Sequence, residues 1–168
     1  MAVTREDVAS AAVQLERDGR RFYLDAAGRT RDELTRKMFK SLADDELDHI
    51  EWIRNMVPGV QSAGAANRQL YDRLRHIFAD VPEAGVRKAA HFQDDVKAIH
   101  LAIDMENKSI DAYQKWAGDA EEKDVRSTCQ MLVEIEEFHR LVLTNTLEYF
   151  EHTPDWFMQE EHWNFEGA

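Results

Sequence analysis

The stretch Leu42-Ala-Asp-Asp-Glu46-Leu-Asp-His49 decides the reading of this chain, because it has a partner ninety residues later in Leu132-Val-Glu-Ile-Glu136-Glu-Phe-His139. In each, a Glu and a His stand at i and i+3. On an α-helix that spacing is one face, a turn apart, so both side chains can reach one metal ion. Each pair has a lone Glu thirty residues upstream, Glu16 for the first and Glu106 for the second. The same shift superposes Gly19 on Ser109, Tyr23 on Tyr113, Ala27-Gly28 on Ala117-Gly118 and Leu42 on Leu132. Such an internal repeat implies a pseudo-two-fold bundle whose halves aim their ligands at one central point.

A single Glu-x-x-His is weak evidence in a chain this rich in glutamate. The other five histidines, His76, His91, His100, His152 and His162, have Arg73, Lys88, Lys97, Tyr149 and Gln159 three residues before them. Only the two that obey the repeat have a Glu there. The plain alternative puts Glu16 and Glu106 on solvated faces and lets the histidines fill gaps in the core. Against it, Glu16 shares its face with Ala12, Leu15, Phe22 and Tyr23, and Glu106 with Ile99, Ala102, Ile103, Ile110 and Tyr113. A charge among those side chains is costly unless it is paired.

Around these motifs the periodicity predicts four long helices. Thr4 with Asp7 makes a capping box for the first, from about residue 4 to 27, carrying Val8, Ala11, Ala12, Leu15, Gly19, Phe22, Tyr23 and Ala26 inward, with Gly28 as its stop. Thr30 with Glu33 opens the second helix almost at once, which makes the two antiparallel neighbours. This helix carries Met38, Phe39, Leu42, Glu46, His49, Ile50 and Ile53 inward and stops before Pro58-Gly59. The third is expected from about 93 to 117, with Gly118 as its stop, and the fourth from about 119 to 151, ended by Thr153-Pro154. Residues 58 to about 92 differ in character, with Leu70, Leu74, Ile77 and Phe78 marking a short amphipathic helix. A helix of about 27 residues spans about 40 Å, and this segment is long enough to be the crossover that travels that length. The expected fold is therefore all-α, a four-helix bundle over residues 1–152 with a long crossover, followed by an aromatic tail at 153–168. That tail, with Trp156, Phe157, Trp163 and Phe165, packs across its own bundle or onto a second subunit.

Composition bounds the rest. At 168 residues, with three prolines and seven glycines, the chain suits one domain of long uninterrupted elements. Cys129 alone can form neither an internal disulfide nor a Cys-x-x-Cys metal site, and seven residues before Glu136 it reads as a small buried hydrophobe. The charged start, with Arg5, Glu6, Asp7, Glu16, Arg17 and Asp18, has no apolar core of a signal peptide, and no later run has the length of a membrane span. Cytoplasm is the default, with no membrane partner. A net charge of −12 argues against a nucleic-acid surface.

Two helices each giving Glu-x-x-His and two each giving a lone Glu are the ligand set of ferritin-like di-iron and di-manganese carboxylate bundles. On Glu16-x-x-Gly-x-x-Phe-Tyr23, Glu46-x-x-His49, Glu106-x-x-Ser-x-x-Ala-Tyr113 and Glu136-x-x-His139, over roughly residues 5 to 150, the chain resembles rubrerythrin-like proteins of the ferritin-like superfamily, without a rubredoxin domain. The resemblance implies that Glu46 and Glu136 bridge two metal ions, with Glu16 and His49 completing one end and Glu106 and His139 the other. It also implies that Tyr23 and Tyr113 donate hydrogen bonds to the ligand carboxylates. The activity it implies is reduction of hydrogen peroxide or dioxygen, or oxidation of Fe(II), with electrons from an external donor such as a rubredoxin-like protein. One departure stands out: rubrerythrins proper carry a further Glu three residues after the third-helix ligand, where this chain has Ser109, with Gly19 as its counterpart. The site is therefore expected to be nearly symmetric.

Charge balance agrees with redox chemistry. Four carboxylates supply a charge that two divalent ions neutralise, and a two-electron step at an oxygen species between the ions preserves neutrality where net charge is expensive. Carboxylates with one imidazole per ion suit iron or manganese, and zinc also binds such a set. The competing readings are a non-catalytic iron- or zinc-binding or assembly module and a di-manganese catalase. The length and the aromatic tail favour a homodimer over a cage.

Overall fold

A computed structural model describes residues 4–55 and 92–151. Four helices make up nearly all of it: α1 (Arg5–Arg29), α2 (Glu33–Asn55), α3 (Phe92–Asp119) and α4 (Lys123–Glu151), with no strand among the described residues. None of these helices is long and apolar enough to cross a membrane. The expected crossover at 58–92, with its short helix, and the aromatic tail at 153–168 lie outside the described residues, apart from Phe92, the first residue of α3.

The expected box at the start of α1 forms: the Asp7 amide donates to Thr4 Oγ1 (3.2 Å) and the Thr4 amide to Asp7 Oδ2 (3.3 Å). The next junction differs from expectation. Helix α1 runs past Gly28 to Arg29, and Thr30 caps its end, its amide donating to Ala26 O (3.0 Å). With Thr30 so used, the start of α2 falls to Asp32, whose Oδ1 accepts from the amide and the hydroxyl of Thr35, each at 2.8 Å. Likewise α3 continues through Gly118 to Asp119 and α4 begins at Lys123 rather than about 119. Neither glycine is forced to end its helix, because a capping side chain or a following turn can do so a residue or two later. The two junctions repeat each other: Arg36 Nη2 donates to Thr30 O (2.8 Å), and Arg126 Nη2, ninety residues on, to Ala120 O (2.7 Å).

The direction of each helix follows from who shares its core. One apolar cluster joins Tyr23, Ala26 and Ala27 from the end of α1 to Met38 and Phe39 from the start of α2, Ile99 and Ala102 from the start of α3, and Val142, Leu143 and Phe150 from the end of α4. A second joins Val8 and Ala12, Ile53, Tyr113 and Ala117, and Val125, Cys129 and Leu132, the opposite ends of the same helices. So α1 is antiparallel to both α2 and α3, and α2 runs parallel to α3. Helix α2 finishes at one end of the bundle and α3 starts at the other, the arrangement of a ferritin-like four-helix bundle. Every inward residue expected of α2 is buried, whereas Ala11 of α1 is exposed. Cys129 is buried in the second cluster, and burial pushes its thiol up to about 11.

Between the two apolar clusters lies a polar layer, so each cluster must hold the bundle together on its own side of it. Leu42 is 0% exposed and Leu47, on the same helix, is 50% exposed. Leu42→Ala should cost about 2–5 kcal/mol and Leu47→Ala within about 0.5 kcal/mol, read as shifts in urea midpoint at constant m. Equal effects would show that the core is not where the packing puts it.

Candidate metal centre

The polar layer consists of the six residues named from the sequence. Glu16 comes from α1, Glu46 and His49 from α2, Glu106 from α3, and Glu136 and His139 from α4, each between 0 and 3% exposed. Helical spacing explains why each pair acts together, since i and i+3 stack on the inner face of one helix. His49 Nδ1 lies 3.0 Å from Glu16 Oε2, 3.2 Å from Glu46 Oε2 and 3.4 Å from Glu136 Oε1. His139 Nδ1 lies 3.1 Å from Glu136 Oε2, 3.6 Å from Glu106 Oε1 and 3.9 Å from Glu46 Oε1. The two imidazole rings stack with centroids 5.3 Å apart.

These atoms form two overlapping groups, Glu16, Glu46, His49 and Glu136, and Glu46, Glu106, Glu136 and His139, within each of which the donor atoms lie within 4.8 Å of one another. Glu46 and Glu136 belong to both. Tyr23 donates a short hydrogen bond to Glu106, and Tyr113 one to Glu16. Each phenol thus holds the lone carboxylate of the other half, and the ninety-residue repeat maps one bond onto the other. Burial, reinforced by Glu106 for Tyr23 and by Glu16 for Tyr113, keeps both phenols protonated well above their usual range, which fixes them as donors.

The electrostatics are those of a cluster that needs positive charge. Burial, then the charges of Glu16 and Glu136, lifts Glu46 well above the carboxylate range; burial and Glu136 lift Glu106 to about 8. Against burial that would raise it, His139 and His49 pull Glu136 below that range. Against burial that would lower them, the carboxylates hold His49 well above its usual value and His139 at about 10. Protons thus supply the counter-charge when no cation does. They do so imperfectly: Glu136 Oε1 and Oε2 and His139 Nδ1 are buried without a hydrogen bond of acceptable geometry, although they lie close to one another. Donor atoms that crowd together without bonding to each other are aimed at a shared point. Carboxylate oxygens and imidazole nitrogens converging in that way fit a pair of iron, manganese or zinc ions.

Close to the cluster, Gly19 faces Glu46, where an added Cβ would stand 3.3 Å from Glu46 Oε1. The near-symmetry expected from Gly19 and Ser109 holds for the ligand groups and ends behind them. Asp45 Oδ2 stands 3.4 Å from His139 Nε2, and Trp52 packs on His49 with ring centroids 5.3 Å apart. Ninety residues on, these positions are Ile135 and Val142. Sequence reasoning missed both. Asp45 could have been found from its place beside a ligand, and Trp52 from its i+3 spacing to His49, but the repeat drew attention to positions that match.

A helical bundle with a buried, doubly shared carboxylate–histidine cluster defines the class as ferritin-like, with a cluster compatible with a dinuclear metal site. The model of the Rubrerythrin family matches residues 7–147, most of the chain, and the protein belongs to that family. Comparison with curated proteins and with solved structures gave no match.

Removing the hydroxyl of Tyr113 takes a donor from a buried carboxylate. Tyr113→Phe should lower stability by about 1–3 kcal/mol in metal-free protein, measured by chemical denaturation. An unchanged midpoint would mean that Glu16 does not depend on that bond.

Proposed function

We propose that the protein is a dinuclear-metal oxidoreductase, with iron as its metal, that reduces hydrogen peroxide or dioxygen, or oxidises Fe(II), drawing electrons from an external donor such as a rubredoxin-like protein. In this reading it works in the cytoplasm as a homodimer. The observation that carries the metal reading is the pair of four-residue groups sharing Glu46 and Glu136, with the Glu136 oxygens and His139 Nδ1 left unbonded at their centre. Family membership supports the redox reading.

Glu16 and His49 would hold one ion, Glu106 and His139 the other, and Glu46 and Glu136 would lie between them. Bound there, an iron pair would supply the two electrons that reduce hydrogen peroxide to water or dioxygen to peroxide. The chain supplies binding, orientation and the exclusion of water. Tyr23 and Tyr113 lock Glu106 and Glu16 from across the bundle, so the end carboxylates keep their orientation while the charge between them changes. Burial of all six groups keeps water from competing for the ions. Gly19 leaves room beside the Glu46 carboxylate, where a side chain would press on it, so that carboxylate can shift as the ion charge alters. Ser109, half-buried on α3, offers no extra carboxylate, so the donor set stays at six.

Glu106, pushed up to about 8, holds a proton in metal-free protein near neutral pH, and burial shifts Glu46 in the same direction. Divalent ions must expel bound protons. Binding should therefore release on the order of two to four protons per chain at about pH 7, and affinity should rise as pH is raised from about 6 to about 8. Calorimetry in buffers of different ionisation enthalpy reads this directly; pH-independent binding without proton release would place the ions outside the cluster.

The redox reading has its own test. Protein loaded anaerobically with a pair of Fe(II) per chain and mixed with hydrogen peroxide should consume about one peroxide per chain, with a near-ultraviolet absorbance rise. The zinc-loaded protein should be inert. Full iron occupancy with neither change would leave a metal-binding module without turnover, and oxygen evolution from manganese-loaded protein would point instead to a catalase.

A further inference from the structure

The repeat that builds the centre breaks just behind one of its histidines. Asp45 precedes Glu46 on α2 and is 9% exposed, and its Oδ2 faces Nε2 of His139 at 3.4 Å. On the same ring Nδ1, the other nitrogen, faces Glu136, Glu106 and Glu46. His139 is thus held between the cluster on one side and a separate carboxylate on the other. The position that the repeat makes equivalent to Asp45 is Ile135, 1% exposed and without a polar side-chain atom. What packs on His49 instead is the half-buried indole of Trp52, whose own counterpart is the buried Val142.

We propose that Asp45 is a positioning residue that makes the two ion positions unequal, so that the Glu106–His139 position fills first and holds its ion more tightly than the Glu16–His49 position. The inference rests on the dinuclear-metal reading above. A neutral imidazole has one proton and two nitrogens on which to carry it, and only the bare nitrogen can bind a cation. A carboxylate can only accept, so Asp45 fixes the proton of a neutral His139 on Nε2 and leaves the Nδ1 lone pair facing Glu136, Glu106 and Glu46. The same contact holds the ring in the plane the ion needs and strengthens the nitrogen as a donor. At His49 the repeat position contributes hydrocarbon, and among the described residues no side chain outside the cluster hydrogen-bonds that ring, so it binds its ion without the corresponding help. The bridging carboxylates Glu46 and Glu136 serve both positions alike and do not offset the difference.

Cobalt(II) separates the two positions, because the ring N–H of a cobalt-bound histidine gives a proton resonance shifted far from the diamagnetic region. Metal-free full-length protein titrated with cobalt(II) should show one such resonance with the first equivalent and a second only with the next. The first should be missing in His139→Gln and the later one in His49→Gln. In Asp45→Asn, which keeps size and burial, first-step affinity should fall about 10- to 100-fold. The two resonances should then grow together, while the circular dichroism of the metal-free protein stays as it was. Parallel growth in the unaltered protein, or sequential filling that persists in Asp45→Asn, overturns the inference and leaves the two-ion reading in place. Complete absence of shifted resonances overturns both.

Discussion

Everything in this bundle depends on one electrostatic constraint: four carboxylates and two imidazoles are held out of water in a layer between two apolar cores. An isolated buried carboxylate is one of the most expensive groups a fold can carry, and six titratable groups at hydrogen-bond distance are tolerable only as a charge-balanced whole. Protons can provide the balance, as the raised Glu46, Glu106 and His139 indicate, but they leave the Glu136 oxygens and His139 Nδ1 without geometric partners. A pair of cations meets both requirements at once. The fold pays for a layer that contributes little to its own cohesion, and function is the reason to keep such a layer.

The two hairpins, α1 with α2 and α3 with α4, divide this layer so that neither can complete it alone. Glu16, Glu46 and His49 lack their fourth member until Glu136 arrives from the other hairpin; Glu106, Glu136 and His139 likewise wait for Glu46. The tyrosines follow the same rule, each reaching over to the opposite hairpin's lone glutamate. Docking the hairpins and closing the cluster are consequently one event, and an ion bound at the shared carboxylates ties the hairpins as a staple would.

Much of this was legible in the sequence because it rests on spacing. Glu-x-x-His at i and i+3, doubled at a ninety-residue interval with a lone glutamate ahead of each, can converge only if four helices face one axis, and the buried cluster contains those six residues. The helix ends were less legible. Gly28 and Gly118 read as stops, yet Thr30 and Asp32 decide the first junction through hydrogen bonds that compete with the glycine signal. Asp45 and Trp52 were missed for a different reason. Internal repetition reveals what two halves share, and by the same comparison it hides what belongs to one half only. The ligand groups themselves are nearly symmetric, as Gly19 and Ser109 imply, and the halves differ behind them at those two places.

Cys129 shows what the same burial does for a group outside the centre. Its sulfur sits in the apolar cluster beside Val125 and Leu132, and its thiol titrates at about 11. Oxidants attack thiolates, so at neutral pH almost none of the reactive form is present and little of the sulfur is in reach. If the centre handles peroxide as proposed, the same packing that builds the bundle keeps its lone cysteine from becoming a casualty of that chemistry.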